Sequence, residues 1–284
     1  VAFAARDMGI RATICIPEGA PISKIEATRS YGANVVLVPG VYDDAYAEAV
    51  RLRDEQGLTF IHPFNDYSVM AGQGTIGLEI LEQLPDVDMI FVPIGGGGLI
   101  AGLAYAVKSL KPDCRVIGVQ AAGAPSMAES LKKGEIITLS SVDTVADGIK
   151  VKTPGDLTFD MCRQYVDKVV TVSESEIAAA ILTILEKQKL ITEGAGAVSV
   201  AAVMAVLQAD PLGGDVPHCQ AVAADADARR DEPRKQLLRG ALALQVLGRR
   251  RGVVADAVHG LDGPHHRAEV VWVLLLLGHQ RLDD

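Results

Sequence analysis

Aromatic side chains make up only 4% of the 284 residues, with a single tryptophan, and lysine plus arginine (27) fall short of aspartate plus glutamate (36). With a formal net charge of −9 there is no basic excess to neutralise nucleic-acid phosphates or to hold an anionic membrane surface, so neither partner is expected. Long hydrophobic runs are also missing. The run Val270 to Leu277 is among the longest at 8 residues, against roughly 20 for a helix that spans a bilayer. The first residues carry no basic stretch followed by an apolar one and a cleavage site, and no signal peptide is expected. Cysteine is sparse: Cys15, Cys114, Cys162 and Cys219 lie far apart with no CxxC pair. That spacing predicts reduced, mostly buried thiols in a cytoplasmic protein rather than a disulfide framework. There is no HExxH, no paired Cys/His spacing and no nucleophile elbow.

Composition is uneven along the chain. Residues 1–208 hold 19 isoleucines, 10 lysines against 7 arginines and one histidine, His62. Residues 209–284 hold no Ile, Phe, Tyr, Met, Ser, Thr or Asn, and carry 9 arginines against 1 lysine and five of the six histidines. Turns and helix starts draw on Ser, Thr and Asn to satisfy orphan backbone groups. A segment with none of the three is read here as a shifted frame or joined coding sequence, the other reading being a low-complexity extension. Function is sought upstream of it.

There, strand-like and helix-like segments alternate with short Gly, Pro or Asp punctuation. Strands are expected over 11–16, 34–38, 58–61, 89–94, 115–120 and 169–172. Helices are expected over 22–31, 43–56, 72–82, 99–110, 175–190 and 195–207. Met89 to Ile94 is an unbroken apolar run, the pattern of a strand covered on both faces. The alternation predicts an α/β fold with mostly parallel sheets and helices on both faces. The 49% apolar content is enough for a large core in one big or two medium domains.

The sharpest local feature is Gly95-Gly96-Gly97-Gly98, between that strand and a helix. Residues without Cβ atoms let the backbone curl and aim several N–H groups at one point, and the helix start adds its positive dipole end. This is a phosphate cup at the carboxyl end of a parallel strand, with an unliganded flexible loop as the other reading. It lacks both the GxGxxG spacing of a dinucleotide site and a GK[ST] triphosphate loop, so a small phosphate-bearing ligand is expected. Ala71-Gly72-Gln73-Gly74-Thr75 reads as a loop with a glycine-eased helix start or as a ligand contact. Ala146-Asp147-Gly148 reads first as an Asp-Gly turn. Glu193, ahead of a helix of small residues, reads as a cap or dipole partner, and His62 before Pro63 as a structural histidine.

Taken in order, Ser23 to Ala33 (SKIEATRSYGA), His62-Pro63-Phe64, Ala71 to Thr75 (AGQGT), Gly95 to Leu99, Ala146-Asp147-Gly148 and Glu193 to Gly196 (EGAG) resemble the fold-type II pyridoxal-phosphate enzymes. The resemblance is strongest to the catabolic threonine dehydratases, with serine racemase a near relative, and covers residues 1 to about 207. It implies a tryptophan-synthase-β-like α/β fold, incomplete at both ends. A partial small domain over 1–57 and a partial large cofactor-binding domain over 58–207 would be followed by a non-family tail, frameshifted or disordered, over 208–284. It implies pyridoxal 5'-phosphate as cofactor and β-elimination of water from L-threonine, and from L-serine, giving 2-oxobutanoate and ammonia in the threonine case. By the same resemblance the N–H groups of Gly95, Gly96, Gly97, Gly98 and Leu99 hold the cofactor phosphate. Gly148 passes close to the cofactor, and Glu193 lies near the pyridine ring and imine. A homo-oligomer is implied on the same ground alone.

Several family features have no counterpart in the 284 residues. The Schiff-base lysine belongs to a Ser-Phe-Lys segment upstream of a Ser-x-Gly-Asn-His segment, and neither occurs here. Leu212-Gly213-Gly214-Asp215 is a poor match to the Ser-Gly-Gly-Asn turn that meets the pyridine nitrogen. Relatives that bind a divalent cation use two carboxylates and a carbonyl where this sequence has Gln120, Ala124 and Ser126, so no metal is expected. The chain alone is therefore expected to be an inactive fragment. A serine racemase-like enzyme and a non-catalytic phosphate-binding fragment are the alternatives.

Overall fold

The computed structural model describes residues 1–40, 42–209 and 269–273. The reading of the stretch after 208, and of Cys219, lies outside the described residues apart from that last short segment. The chain divides into two compact units, one of Val1–Asp66 with the 269–273 segment, and one beginning at Tyr67.

In the first unit α1 (Ala2–Asp7), β1 (Arg11–Pro17), α2 (Ile22–Ser30), β2 (Asn34–Val38), α3 (Tyr42–Gln56) and β3 (Thr59–Ile61) follow one another. The strand β1 is buried from Ala12 to Ile16 because helices cover both faces to which its alternating side chains point. Cys15 packs on one face against Ala45, Ala49 and Leu52 of α3. Ile14 and Ile16 pack on the other against Ala2 of α1 and Ile25 of α2. Burying each isoleucine contributes about 1.5–3 kcal/mol. The seventh strand in chain order, β7 (Glu269–Val273), completes this sheet, whose order is β2-β1-β7-β3 with every pair parallel.

The second unit holds α4 (Tyr67–Gln83), β4 (Met89–Pro93), α5 (Gly98–Leu110), β5 (Arg115–Ala121), α6 (Ser126–Lys133), α7 (Asp156–Tyr165), β6 (Lys168–Val172), α8 (Glu174–Gln188) and α9 (Gly194–Ala209). Its parallel sheet runs β4-β5-β6. The apolar run of β4 splits as its pleat requires. Met89 and Phe91 join Ile117 and Val119 against α8 and α9. Ile90 and Val92 join Val116 against Ile100, Leu103 and Val107 of α5 and Phe159 of α7. A capping box opens α8: Ser173 Oγ accepts from the Glu176 amide, and Glu176 Oε2 accepts from the Ser173 amide at 2.7 Å. Among the described residues no helix is long and apolar enough to cross a membrane.

Two readings of the sequence need correction. Ala71 to Thr75 is not a loop, because α4 begins at Tyr67 and runs through it. Gly74 instead admits α5: a Cβ on it would lie 3.0 Å from the Gly102 carbonyl oxygen, and one on Gly102 only 1.8 Å from that of Met70. Helices α6 and α7 were not expected at all.

Candidate functional site

The loop from β4 to α5 carries the four glycines, in the second unit. Gly97 has φ +98°, a left-handed value that glycine adopts without a Cβ penalty. A Cβ there would stand 2.8 Å from Met127 Cε and from Thr158 Cβ, so the neighbouring structure requires glycine as well.

The hydrogen bonds of the loop have one sense. Ile94 donates its N–H to Val119 and accepts on its carbonyl from Gln120 Nε2 at 3.3 Å. The Gly96 carbonyl accepts from Thr158 Oγ1 at 2.6 Å, and the Gly97 carbonyl from the Ala101 N–H at 2.9 Å. Carbonyls are thus drawn into the protein. The N–H groups of Gly95, Gly96, Gly97, Gly98 and Leu99 donate to no other described protein atom. Those of Gly98 and Leu99 lie in the first turn of α5, where a helix leaves its donors unmatched. Five donors on adjacent residues, with the positive end of a 13-residue helix behind them, suit a phosphate group.

The other candidate residues gather beside this loop. Asp147–Ile149 forms a 3-10 turn closed by the Ile149 N–H on the Ala146 carbonyl at 3.0 Å, as the Asp-Gly pair predicts. The turn lies against the glycines: a Cβ on Gly95 would meet Ile149 Cα at 3.1 Å and the Gly148 carbonyl oxygen at 3.5 Å. Ala146 in turn touches the start of α9, where a Cβ on Gly194 would lie 2.9 Å from Ala146 Cα. Glu193 precedes that helix. Its carbonyl accepts the N–H groups of Gly196 and Ala197 at 3.1 and 3.2 Å, and its Oε1 is buried. Segments at 95–98, 146–148 and 193–194, separate in sequence, are therefore joined by backbone contact.

His62, in the first unit, forms a turn. Its Nδ1 accepts from the Phe64 and Asn65 N–H groups at 3.2 and 2.9 Å, and its ring meets Phe64 edge to face at 4.6 Å. Cys15, Cys114 and Cys162 are free and buried, and desolvation pushes Cys162 up to about 12. Gln120 and Ser126 are fully buried, and no cluster of three His, Cys, Asp or Glu that could hold a metal occurs among the described residues. Gln120 was weighed in the sequence only as a replaced metal ligand, and Thr158 was not singled out. Neither has a sequence signal, since what distinguishes them is contact with a loop far away in the chain.

A parallel α/β unit with a glycine cup at a strand's carboxyl end defines a class of phosphate-bearing cofactor proteins. The chain belongs to the pyridoxal-phosphate dependent enzymes, whose family model matches residues 1–219, and pyridoxal phosphate is the cofactor of that family. The "L-threonine ammonia-lyase" of Thermotoga maritima is 54% identical over 204 residues, covering 72% of this chain and 51% of that protein. The processed threonine deaminase isoform 2 of Solanum lycopersicum superposes with a TM-score of 0.70 at 42% identity, covering 73% of this chain and 61% of that one. Maize serine racemase superposes with a TM-score of 0.69 at 30% identity, covering 99% and 70%. The chain spans about half the length of the Thermotoga maritima relative.

Proposed function

We propose that the enzyme to which these residues belong is an L-threonine ammonia-lyase (dehydratase) that also accepts L-serine. It eliminates water from L-threonine to give 2-oxobutanoate and ammonia. The observation that carries the cofactor half is the run of N–H groups from Gly95 to Leu99 that donate to no described protein atom. The substrate half rests on the 54% identity to a protein of that name. The cofactor, when bound, supplies an electron sink for the pair freed at the substrate Cα. The N–H groups of Gly95, Gly96, Gly97, Gly98 and Leu99 hold its phosphate. Gly148, whose carbonyl oxygen lies beside Gly95, passes close to the cofactor. Glu193 sits at the ring side, its carboxylate orienting the cofactor. A homo-oligomer in the cytoplasm belongs to the same proposal.

We propose further that the 284 residues by themselves bind the cofactor through its phosphate and do not turn over threonine, because no lysine in them follows a Ser-Phe pair. The serine racemase reading is favoured by one observation, the superposition of maize serine racemase over 99% of the chain.

The test replaces the matching segment of the Thermotoga maritima enzyme with the 204 residues of this chain that match it and assays the chimera. Formation of 2-oxobutanoate from L-threonine supports the dehydratase. D-Serine from L-serine, without elimination, transfers the assignment to a racemase. A folded chimera that binds cofactor and does neither overturns both. In parallel, borohydride treatment of the isolated chain with cofactor should leave no single lysine modified.

A further inference from the structure

We propose that Gln120 and Thr158 are positioning residues for the cup, each gripping one carbonyl so that the following N–H is turned toward the phosphate; this rests on the cofactor reading above. In a trans peptide the carbonyl of one residue and the N–H of the next point in opposite directions. Gln120 Nε2 holds the Ile94 carbonyl, so the Gly95 N–H points away from β5. Thr158 Oγ1 at 2.6 Å, with the longer bond from the Gly155 N–H at 3.4 Å beside it, holds the Gly96 carbonyl, so the Gly97 N–H points away from α7. The two clamps act on alternate peptides of one loop, which aims two N–H groups from a single side.

A glycine loop needs such clamps because it has none of its own. Without Cβ atoms the peptides between successive glycines adopt either orientation at little cost. A flipped Gly96–Gly97 peptide would present a carbonyl oxygen, rather than an N–H, to a phosphate dianion. The freedom that lets the backbone form the cup would thus also let it invert. Thr158 removes that freedom at the Gly96–Gly97 peptide, and Gln120 fixes the Ile94–Gly95 peptide that leads into the loop, both from the side remote from the ligand.

Both clamps are themselves fixed. Each is 0% exposed, where a wrongly oriented polar group is costly. Gln120 Oε1 accepts the Ala128 N–H at 2.9 Å, which assigns its NH2 group to the Ile94 carbonyl. Thr158 lies in the first turn of α7, with Oγ1 also 3.2 Å from the Gly155 carbonyl. The single hydroxyl proton goes to the nearer oxygen, that of Gly96.

The test measures binding of pyridoxal phosphate and of pyridoxal, which lacks the phosphate, to the 284-residue chain and its variants by equilibrium dialysis. Thr158→Val keeps the side-chain shape and removes the donor. It should raise the Kd for pyridoxal phosphate about tenfold, the effect of one lost buried hydrogen bond, and leave pyridoxal unaffected. Thr158→Ser keeps the hydroxyl and should restore binding to within about twofold. Gln120→Leu should repeat the phosphate-selective loss independently. Equal weakening of both ligands, or unchanged phosphate binding in Thr158→Val, overturns the positioning role. If the unsubstituted chain itself shows no preference for the phosphorylated ligand, the cofactor reading fails instead.

Discussion

Replacing Gly102 by alanine adds one methyl group where α5 crosses α4, and the geometry sets the consequence. The new Cβ would stand 1.8 Å from the Met70 carbonyl oxygen and 2.9 Å from the Gly74 nitrogen. An unstrained contact needs about 3.5 Å, so the helices must separate by roughly 1.7 Å at their point of closest approach. Backbone atoms, unlike the end of a flexible side chain, cannot step aside. The separation loosens the neighbouring contacts of Gly74 and of Gly77, whose own Cβ position is 3.1 Å from the Leu103 carbonyl oxygen. Overpacking of this kind costs about 1–3 kcal/mol and occasionally more, offset by about 1 kcal/mol from alanine's better helix propensity. The severity of the overlap places Gly102→Ala at the upper end, with a net loss of about 2 kcal/mol or more. Gly72→Ala is the matched control. It lies in the same helix pair but is exposed, and its Cβ would meet nothing within 4 Å, so it should stabilise by about 0.5–1 kcal/mol. Urea unfolding of the two variants and the parent decides the matter, with Gly102→Ala also lowering Tm by about 4–8 °C. A Gly102→Ala protein as stable as the parent would refute the close crossing of α4 and α5.

Three further outcomes are expected. Ser173→Ala removes one half of the capping box of α8 and should cost about 1 kcal/mol in the same unfolding assay, with Ser173→Asp recovering most of it. Burial holds Cys15 and Cys114 up to about 11 and Cys162 up to about 12, from an ordinary value of 9.0. Above pH 9 the unfolded state therefore binds fewer thiol protons than the native one. Stability should fall as pH rises from about 9 toward 12, and below pH 9 these thiols should have no effect. At pH 8 iodoacetamide should leave all three unmodified until urea is added, as read peptide by peptide in a mass spectrometer.

What the sequence disclosed depended on whether a residue's partners were near it in the chain. Met89 to Ile94 was legible as a doubly covered strand because helices pack on both faces, which requires apolar side chains at every position. The break between β4 and α5 was legible because four successive glycines end a strand and give the chain room to turn into a helix. The start of α4 was misplaced because Gly72 and Gly74 were taken as chain punctuation. Gly74 in fact admits the backbone of α5, about 30 residues away, and spacing within a single helix does not record that. Helix α7 was missed for a related reason. Its buried face includes Thr158, a polar residue whose hydroxyl is matched by a carbonyl more than 60 residues earlier, so the apolar periodicity is broken at a contact the local sequence does not record. The contacts of Gly95 with the Gly148 turn, and of Gly194 with Ala146, likewise come from the folding of the chain and not from any local pattern.

The position of β7 carries a consequence for how the first sheet comes into being. Strands β1 and β3 do not pair with each other. Both pair with Glu269–Val273, in the registers Arg11 with Glu269 and Ile61 with Trp272. A ribosome adding about 5–20 residues per second takes roughly 10–40 s to travel the 200 or so residues from Ile61 to Glu269. Throughout that interval β1 and β3 each present an unpaired edge, the state in which a nascent chain is most open to strand addition from a neighbour. The sheet's assembly is thus timed by the synthesis of Glu269–Val273, and β1 and β3 wait for that segment.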